Sequence, residues 1–211
     1  MVEVFATPAA TQQYAGLAAA APRWTLVDDA ALASLSDSVS PAGVVAVCRY
    51  LDRAVPVAAR LVALCADVRD PGNAGTVIRC ADAAGADAVV LAGHSVDPYN
   101  PKTVRASVGS LFHLPISIEP DPTAAVRAAQ AAGLQVLAAD GAGEVDLDQA
   151  DRLLAAPTAW LFGNEAWGLP AELAALADHR VRIPIHGRAE SLNLSTAAAL
   201  CLYASARIHR R

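Results

Sequence analysis

The stretch DVRDPGNAGTVIRC, residues 67–80, decides how the chain is read. It follows ARLVALCADV (59–68), a short unbroken apolar run whose length suits a fully buried strand. Asp70-Pro71-Gly72-Asn73-Ala74-Gly75 is then a run of turn formers, and from Thr76 to Ala84 the pattern predicts a helix. A buried strand leading through a tight turn into a helix is half of a βαβ unit, and the alternation continues. ADAVVLAG (86–93), LQVLAAD (134–140), AWLFG (159–163) and HRVRIPI (179–185) read as further strands. Asn100-Pro101 and Asp121-Pro122 each place a capping side chain before a proline at the first helical position, so helices are expected over 101–110 and 122–132, the second stopped by Gly133. Pro170 opens a short helix to about residue 177, and 194–206 is a closing helix. Short apolar strands interleaved with helices predict an α/β fold, a mainly parallel sheet flanked by helices.

Residues 1–55 differ from residues 56–211. VEVFAT (2–7) and GVVAVCRY (43–50) read as strands, DDAALASLSD (28–37) as a helix and residues 52–58 as a linker. The expectation is a partial small N-terminal α/β domain with its linker, its beginning missing, ahead of one large domain.

At 211 residues and 55% hydrophobic, the chain can bury a sizeable core. A net charge of −5 argues against indiscriminate binding to nucleic acid, while leaving room for a local basic face. Cys48, Cys65, Cys80 and Cys201 are scattered in apolar contexts and none forms CxxC. They read as buried reduced thiols, with no metal-ligating spacing. No stretch is apolar enough to cross a membrane and Met1-Val2-Glu3 lacks a basic leader, so a cytoplasmic location is expected.

Ligands of open α/β sheets sit beyond the carboxyl ends of the strands. Neither GNAGTV nor DGAG (140–143) is a dinucleotide fingerprint, and no phosphate-binding P-loop sequence is present. Nicotinamide and nucleoside triphosphate chemistry is therefore disfavoured. Three post-strand segments instead share one composition: DPGNAGTVIR (70–79), LFGNEAWGLP (161–170) and IPIHGRAESLNLS (183–195). Each combines small residues, which let a ligand approach the backbone, with Asn, Glu, Ser or Arg side chains able to hydrogen-bond it. Taken singly, Arg79 near a helix start could pair with Asp82 at i,i+3, Asn73 could serve a turn, Glu165 could be an exposed acid, and Ser191 or Asn193 could cap the last helix. Those readings leave the shared composition unexplained.

The three segments closely resemble the motifs of the SpoU branch of the SPOUT RNA methyltransferases. The first is N-x-G-x-x-x-R, here Asn73 to Arg79; the second is G-N-E-x-x-G-L, here Gly163 to Leu169; the third is I-P followed by E-S-L-N, here Ile183-Pro184 and Glu190 to Asn193. The likeness runs over about residues 59–207 in the same order, with no departure at the polar positions. It is strongest to rRNA-directed members such as the thiostrepton-resistance methyltransferases. The resemblance implies a deep C-terminal trefoil knot, a homodimer, S-adenosylmethionine as cofactor, no metal, and methylation of a ribose 2′-hydroxyl in RNA. It favours 23S rRNA, with tRNA as the alternative and a non-catalytic RNA-binding protein of the same fold as a second. It implies catalytic roles for Asn73, Arg79, Glu165, Ser191 and Asn193, and cofactor contacts from Leu161, Gly163, Gly168, Ile183 and Leu192. Arg79, with Lys102 and Arg105 on the following helix, would meet the RNA.

Overall fold

The computed structural model describes residues 1–36, 38 and 41–210. By internal packing the chain divides into two compact units, Met1–Tyr50 and Leu51–Arg211.

In the first unit, β1 (Glu3–Ala6) leads into α1 (Pro8–Gln13) and α2 (Ala15–Ala20), then β2 (Trp24–Leu26), α3 (Asp29–Ser34) and β3 (Val44–Val47). β1 lies between a parallel β2 and an antiparallel β3. Strand alternation turns Val4 and Ala6 inward, where Ala10 and Leu32 join them in a small buried set. β2 and the two alanine-rich helices were not foreseen, because the run from Pro8 to Ala21 is rich in alanine and carries no apolar period. Of the helix expected over 28–37, Asp37 lies outside the described residues.

The second unit is the predicted α/β architecture. Its strands are β4 (Leu61–Ala66), β5 (Ala88–Ala92), β6 (Ile116–Glu119), β7 (Gln135–Ala139), β8 (Val145–Asp146), β9 (Thr158–Phe162) and β10 (His179–Arg182). They form one sheet in the order β6-β5-β4-β9-β7-β10-β8, and every pairing in it is parallel. Alternate residues of β4 feed two cores. Leu61, Ala63 and Cys65 pack on one face with Val77, Ile78, Trp160, Phe162, Cys201 and Leu202. Val62, Leu64 and Ala66 pack on the other with Val126, Leu161 and Leu173. The first face is covered by α4 (Pro71–Ala84) and α8 (Leu194–His209), with α5 (Pro101–Ser107) against α4; the second carries α6 (Pro122–Ala131) and α7 (Ala171–Ala174). A buried hydrogen bond from Trp160 Nε1 to Ser205 Oγ, 2.8 Å long, pins α8 to the central strand.

Several boundaries correct the sequence reading. α4 begins at Pro71, five residues earlier than expected, because Asp70 caps it: the Asn73 N–H donates to Asp70 Oδ1 at 2.8 Å and Pro71 takes the first helical position. What read as a turn is therefore the first turn of the helix, and Arg79 sits well inside it. Gly75 is required there, since a Cβ would lie 2.6 Å from both Ala106 Cβ and the Thr103 carbonyl of α5. α5 ends at Ser107 rather than near 110, with Val108 at φ 50° and Gly109 at φ 93° turning the chain into a short 3₁₀ turn. The expected linker is partly docked: Asp52 bridges Ile116, the Arg53 N–H donates to the Ile116 carbonyl at 2.8 Å, and Val55 packs on the second core. Of the cysteines, Cys65 and Cys201 are buried, Cys80 is half-buried and Cys48 is exposed, so only two match the buried-thiol reading. Burial pushes the Cys65 thiol up to about 12. Among the described residues no helix is long and apolar enough to cross a membrane.

Candidate active site

The parallel sheet sends the chain out of β4, β7, β9 and β10 at one edge, and the three segments singled out in the sequence converge there. Asp67 leaves β4 in the left-handed region, φ 55°, an uncommon conformation for a residue with a side chain. That turn exposes its carbonyl to the buried Asn164, whose Nδ2 donates to it at 2.7 Å. Asn164 Oδ1 accepts from the Ala166 N–H at 2.8 Å, and reciprocal backbone bonds between Asn164 and Gly168, each 2.9 Å, close a tight turn with Glu165, Ala166 and Trp167 at its tip. Gly168, at φ 70°, supplies the positive dihedral this turn needs.

Glu165 reaches from that tip to the start of α4. It accepts from the Arg69 and Asp70 N–H groups at 3.4 and 3.1 Å and from Asn73 Nδ2 at 3.3 Å. Asn73 Oδ1 in turn accepts from Asn193 Nδ2 at 3.0 Å. Asn193 Oδ1 caps α8, accepting from the Ser195 N–H at 2.9 Å and the Thr196 N–H at 3.4 Å. Glu165, Asn73 and Asn193, each from a different segment, thus form one continuous chain of hydrogen bonds. The capping expectation holds for Asn193 alone; Ser191 precedes the cap and lines the cleft instead. Asp70 anchors the same corner. Its carboxyl is held below the ordinary aspartate range, chiefly by the Asn73 N–H bond, with Lys102 Nζ at 3.5 Å assisting. The charged cap therefore supports α4 above the ordinary aspartate value, and that support is lost as pH falls through the depressed one.

Beside this chain lies a cleft of about 300 Å³. Phe162, Val181, Ile183, Leu192 and Leu194 give it apolar walls; Gly163 and Gly168 bring backbone to its surface; Asp140, Glu165, Glu190 and Ser191 supply polar groups. Its lining holds three carboxylates and, among the described residues, no basic side chain, which suits a ligand that is part apolar ring and part cation. Of the expected cofactor contacts, Gly163, Gly168, Ile183 and Leu192 line it. The Leu161 side chain does not; it is fully buried in the second core. Asp140 and Gly141 line the cleft although DGAG drew notice only as a failed fingerprint; their position just beyond a strand end was the usable signal.

Arg79 stands apart from this arrangement. It lies six residues along α4 from Asn73, about 9 Å of helix rise, and is exposed. Among the described residues its guanidinium makes no hydrogen bond or ion pair. The Asp82 pairing does not form, because Asp82 bonds His113 Nδ1 at 2.8 Å. Lys102 and Arg105 are exposed on α5, the helix packed across Gly75.

Swapping Asn193 to Asp separates its two jobs, since Asp caps helices as well as Asn but has no amide to donate to Asn73. N193D is expected to melt near the parent temperature and to lose roughly tenfold in activity, one functional hydrogen bond. N193A should also lose about 1 kcal/mol of helix capping. Equal activity of N193D and the parent, alongside equal melting, would remove the Asn73 contact from the working site.

The parallel sheet, the cleft at its carboxyl edge and three loops joined there by acid and amide side chains define an α/β protein with a ligand-sized, acid-lined cleft. The chain belongs to the SpoU rRNA methylase family, whose model matches residues 60–203. It is 43% identical over 140 residues to a 23S rRNA (uridine(2479)-2′-O)-methyltransferase of Streptomyces viridochromogenes, covering 65% of this chain and 49% of that protein. The match thus spans about half the length of that relative. It is 35% identical over 181 residues to the 23S rRNA (guanosine(2553)-2′-O)-methyltransferase RlmP of Bacillus subtilis, covering 84% and 70%. The SpoU methyltransferase AviRb from Streptomyces viridochromogenes, crystallised with its cofactor AdoMet, superposes with a TM-score of 0.84 at 33% identity, covering 97% and 81% of the two chains.

Proposed function

We propose that this chain transfers a methyl group from S-adenosylmethionine to a ribose 2′-hydroxyl of RNA, in 23S rRNA by preference. The observation that carries this reading is the hydrogen-bonded chain Glu165–Asn73–Asn193 at the edge of an acid-lined cleft. The cleft's residues fit the cofactor: apolar walls for an adenine ring, carboxylates for a sulfonium and an ammonium, and backbone brought close at Gly163. The cofactor supplies an electrophilic methyl whose leaving group, a neutral thioether, needs no metal to assist it. The protein's part is to hold the 2′-oxygen in line and to stabilise the negative charge that grows on it. Arg79 is the group for that second task, because an unpaired guanidinium is free to engage the ribose and its phosphate through two donors at once. Glu165, Asn73, Ser191 and Asn193 position the loops at the cleft edge, and Lys102 and Arg105 extend the RNA contact along α5.

The reading includes a trefoil knot. Its support is that 163–170 crosses from β9 to α7 on one face while 183–193 crosses from β10 to α8 on the other, both past the same sheet edge. It includes a homodimer, supported by Leu200 and Tyr203, 45% and 53% exposed on α8, and a cytoplasmic site of action, where rRNA is found. The first unit is assigned to RNA substrate binding.

The test is transfer of labelled methyl from S-adenosylmethionine to total rRNA and, separately, total tRNA, with the labelled nucleotide mapped by its resistance to alkaline cleavage. Alkali-resistant label in 23S rRNA is expected. Label in tRNA would keep the chemistry and change the substrate; cofactor binding without label in either RNA would defeat the methyltransfer reading.

A further inference from the structure

The turn that carries Glu165 also carries a tryptophan with no evident task. Residues 163–166 and 168 all line the cofactor cleft; Trp167 alone of the turn does not. It is no core residue either, being 56% exposed. Its indole N–H makes no hydrogen bond among the described residues. What holds it is Arg69, whose guanidinium carbon lies over the ring, 5.3 Å from the centroid. Arg69 belongs to the loop between β4 and α4, and its own N–H donates to Glu165 Oε2 at 3.4 Å. The stacked pair is thus tied to Glu165, by the Arg69 N–H on one loop and by Trp167's place two residues beyond Glu165 on the other.

A solvent-exposed cation–π pair is worth only about 0.5–1 kcal/mol, little return for a large apolar ring left in water if pinning the loop were its purpose. An aromatic face backed by an arginine and standing beside a site that takes RNA has a clear chemical complement in an unpaired nucleobase. Unstacked bases are received on aromatic side chains and on guanidinium planes. Such stacking tolerates any base, because every base has a π face.

We propose that Trp167, backed by Arg69, is the stacking platform for a nucleobase at the methylation site, the base of the target nucleotide or of its immediate neighbour. The proposal rests on the RNA methyltransfer reading above. The platform holds an extruded nucleotide so that its ribose faces Arg79 and the cleft, and it contributes affinity and position without reading sequence.

The experiment compares the parent protein with Trp167→Ala, Trp167→Phe and Arg69→Ala in labelled methyl transfer to total rRNA and to total tRNA, with S-adenosylmethionine affinity measured calorimetrically on each. W167A is expected to raise the apparent KM for RNA about 10- to 100-fold, the size of one lost base stack, with cofactor affinity and melting temperature unchanged. W167F should recover most of the loss, and R69A should show a smaller rise in KM. An unchanged KM in W167A, a W167F variant no better than W167A, or cofactor affinity falling in step with activity would each overturn the platform. A parent protein that binds the cofactor and labels neither RNA would defeat the methyltransfer reading and the platform with it. A labelling parent beside an indifferent W167A defeats the platform alone.

Discussion

Arg79→Ala is expected to lower methyl transfer at least ~10²-fold, the scale of removing one group that stabilises a developing oxyanion, while cofactor affinity and melting temperature stay at the parent values. The stability half of this follows from what Arg79 does not touch. It is exposed, its expected partner Asp82 is held by His113, and its guanidinium makes no bond among the described residues, so truncation empties no cavity and orphans no charge. Alanine is also the better helix former at an interior position of α4. The cofactor half follows from place, since Arg79 is not among the residues lining the cleft. The proposed function leaves this side chain to the RNA and the reacting oxygen. Arg79→Lys is an informative companion. It keeps the charge and gives up the planar fork, so an intermediate rate is expected if two-donor contact to ribose and phosphate matters. A guanidinium offers N–H donors and no acceptor, and for that reason the proposed function gives Arg79 charge stabilisation rather than proton removal. Near-parent turnover in R79A under saturating cofactor and RNA would take the oxyanion role away from it.

Much of the second unit was legible because its signals are local. β4, β5, β7 and β9 are short apolar runs between turn residues, and parallel strands covered on both faces read that way whatever lies around them. Asn100-Pro101 and Asp121-Pro122 announced their helices correctly. The same signal at Asp70-Pro71 went unread because Gly72, Asn73 and Gly75 look like a loop. Their small size instead serves the close crossing of α4 and α5 at Gly75 and the reach of Asn73 to two other segments. β6 was missed because ISIE is a half-exposed edge strand with one charged residue and little apolar length. The three segments that meet at the candidate site were legible as motif composition. Its wiring was not, since Glu165–Asn73 and Asn73–Asn193 join residues 92 and 120 positions apart, and only the parallel sheet brings those loops to one edge. Asn164 illustrates the difference. In sequence it is a polar residue beside Glu165; in the fold it is buried and locks the turn to the Asp67 carbonyl.

Gly163→Ala is the second change with a large expected effect, and here the cost is structural first. A Cβ at this position would lie 2.4 Å from both the carbonyl carbon and the oxygen of Gly168 and 2.6 Å from the Leu169 nitrogen. All three are backbone atoms, so no side chain can rotate away and the turn itself must open. Opening it strains the paired bonds between Asn164 and Gly168, loosens Asn164 from Asp67, and displaces Glu165 from the start of α4. Overpacking of a rigid site costs typically about 1–3 kcal/mol, and at the upper half of that range a chain of this size should melt lower by roughly 4–12 °C. Because the same turn forms one wall of the cleft, S-adenosylmethionine affinity should fall about tenfold or more, which is about 1.4 kcal/mol or more. Gly168 provides the contrast within a single turn. It has open space where a Cβ would go, and its demand is only for φ near 70°, a region asparagine adopts readily. Gly168→Asn should therefore melt close to the parent, while Gly163→Ala does not. Thermal melting and calorimetric titration of the two variants side by side check this, and a G163A protein with parent-like melting and affinity would show that the turn gives way without cost.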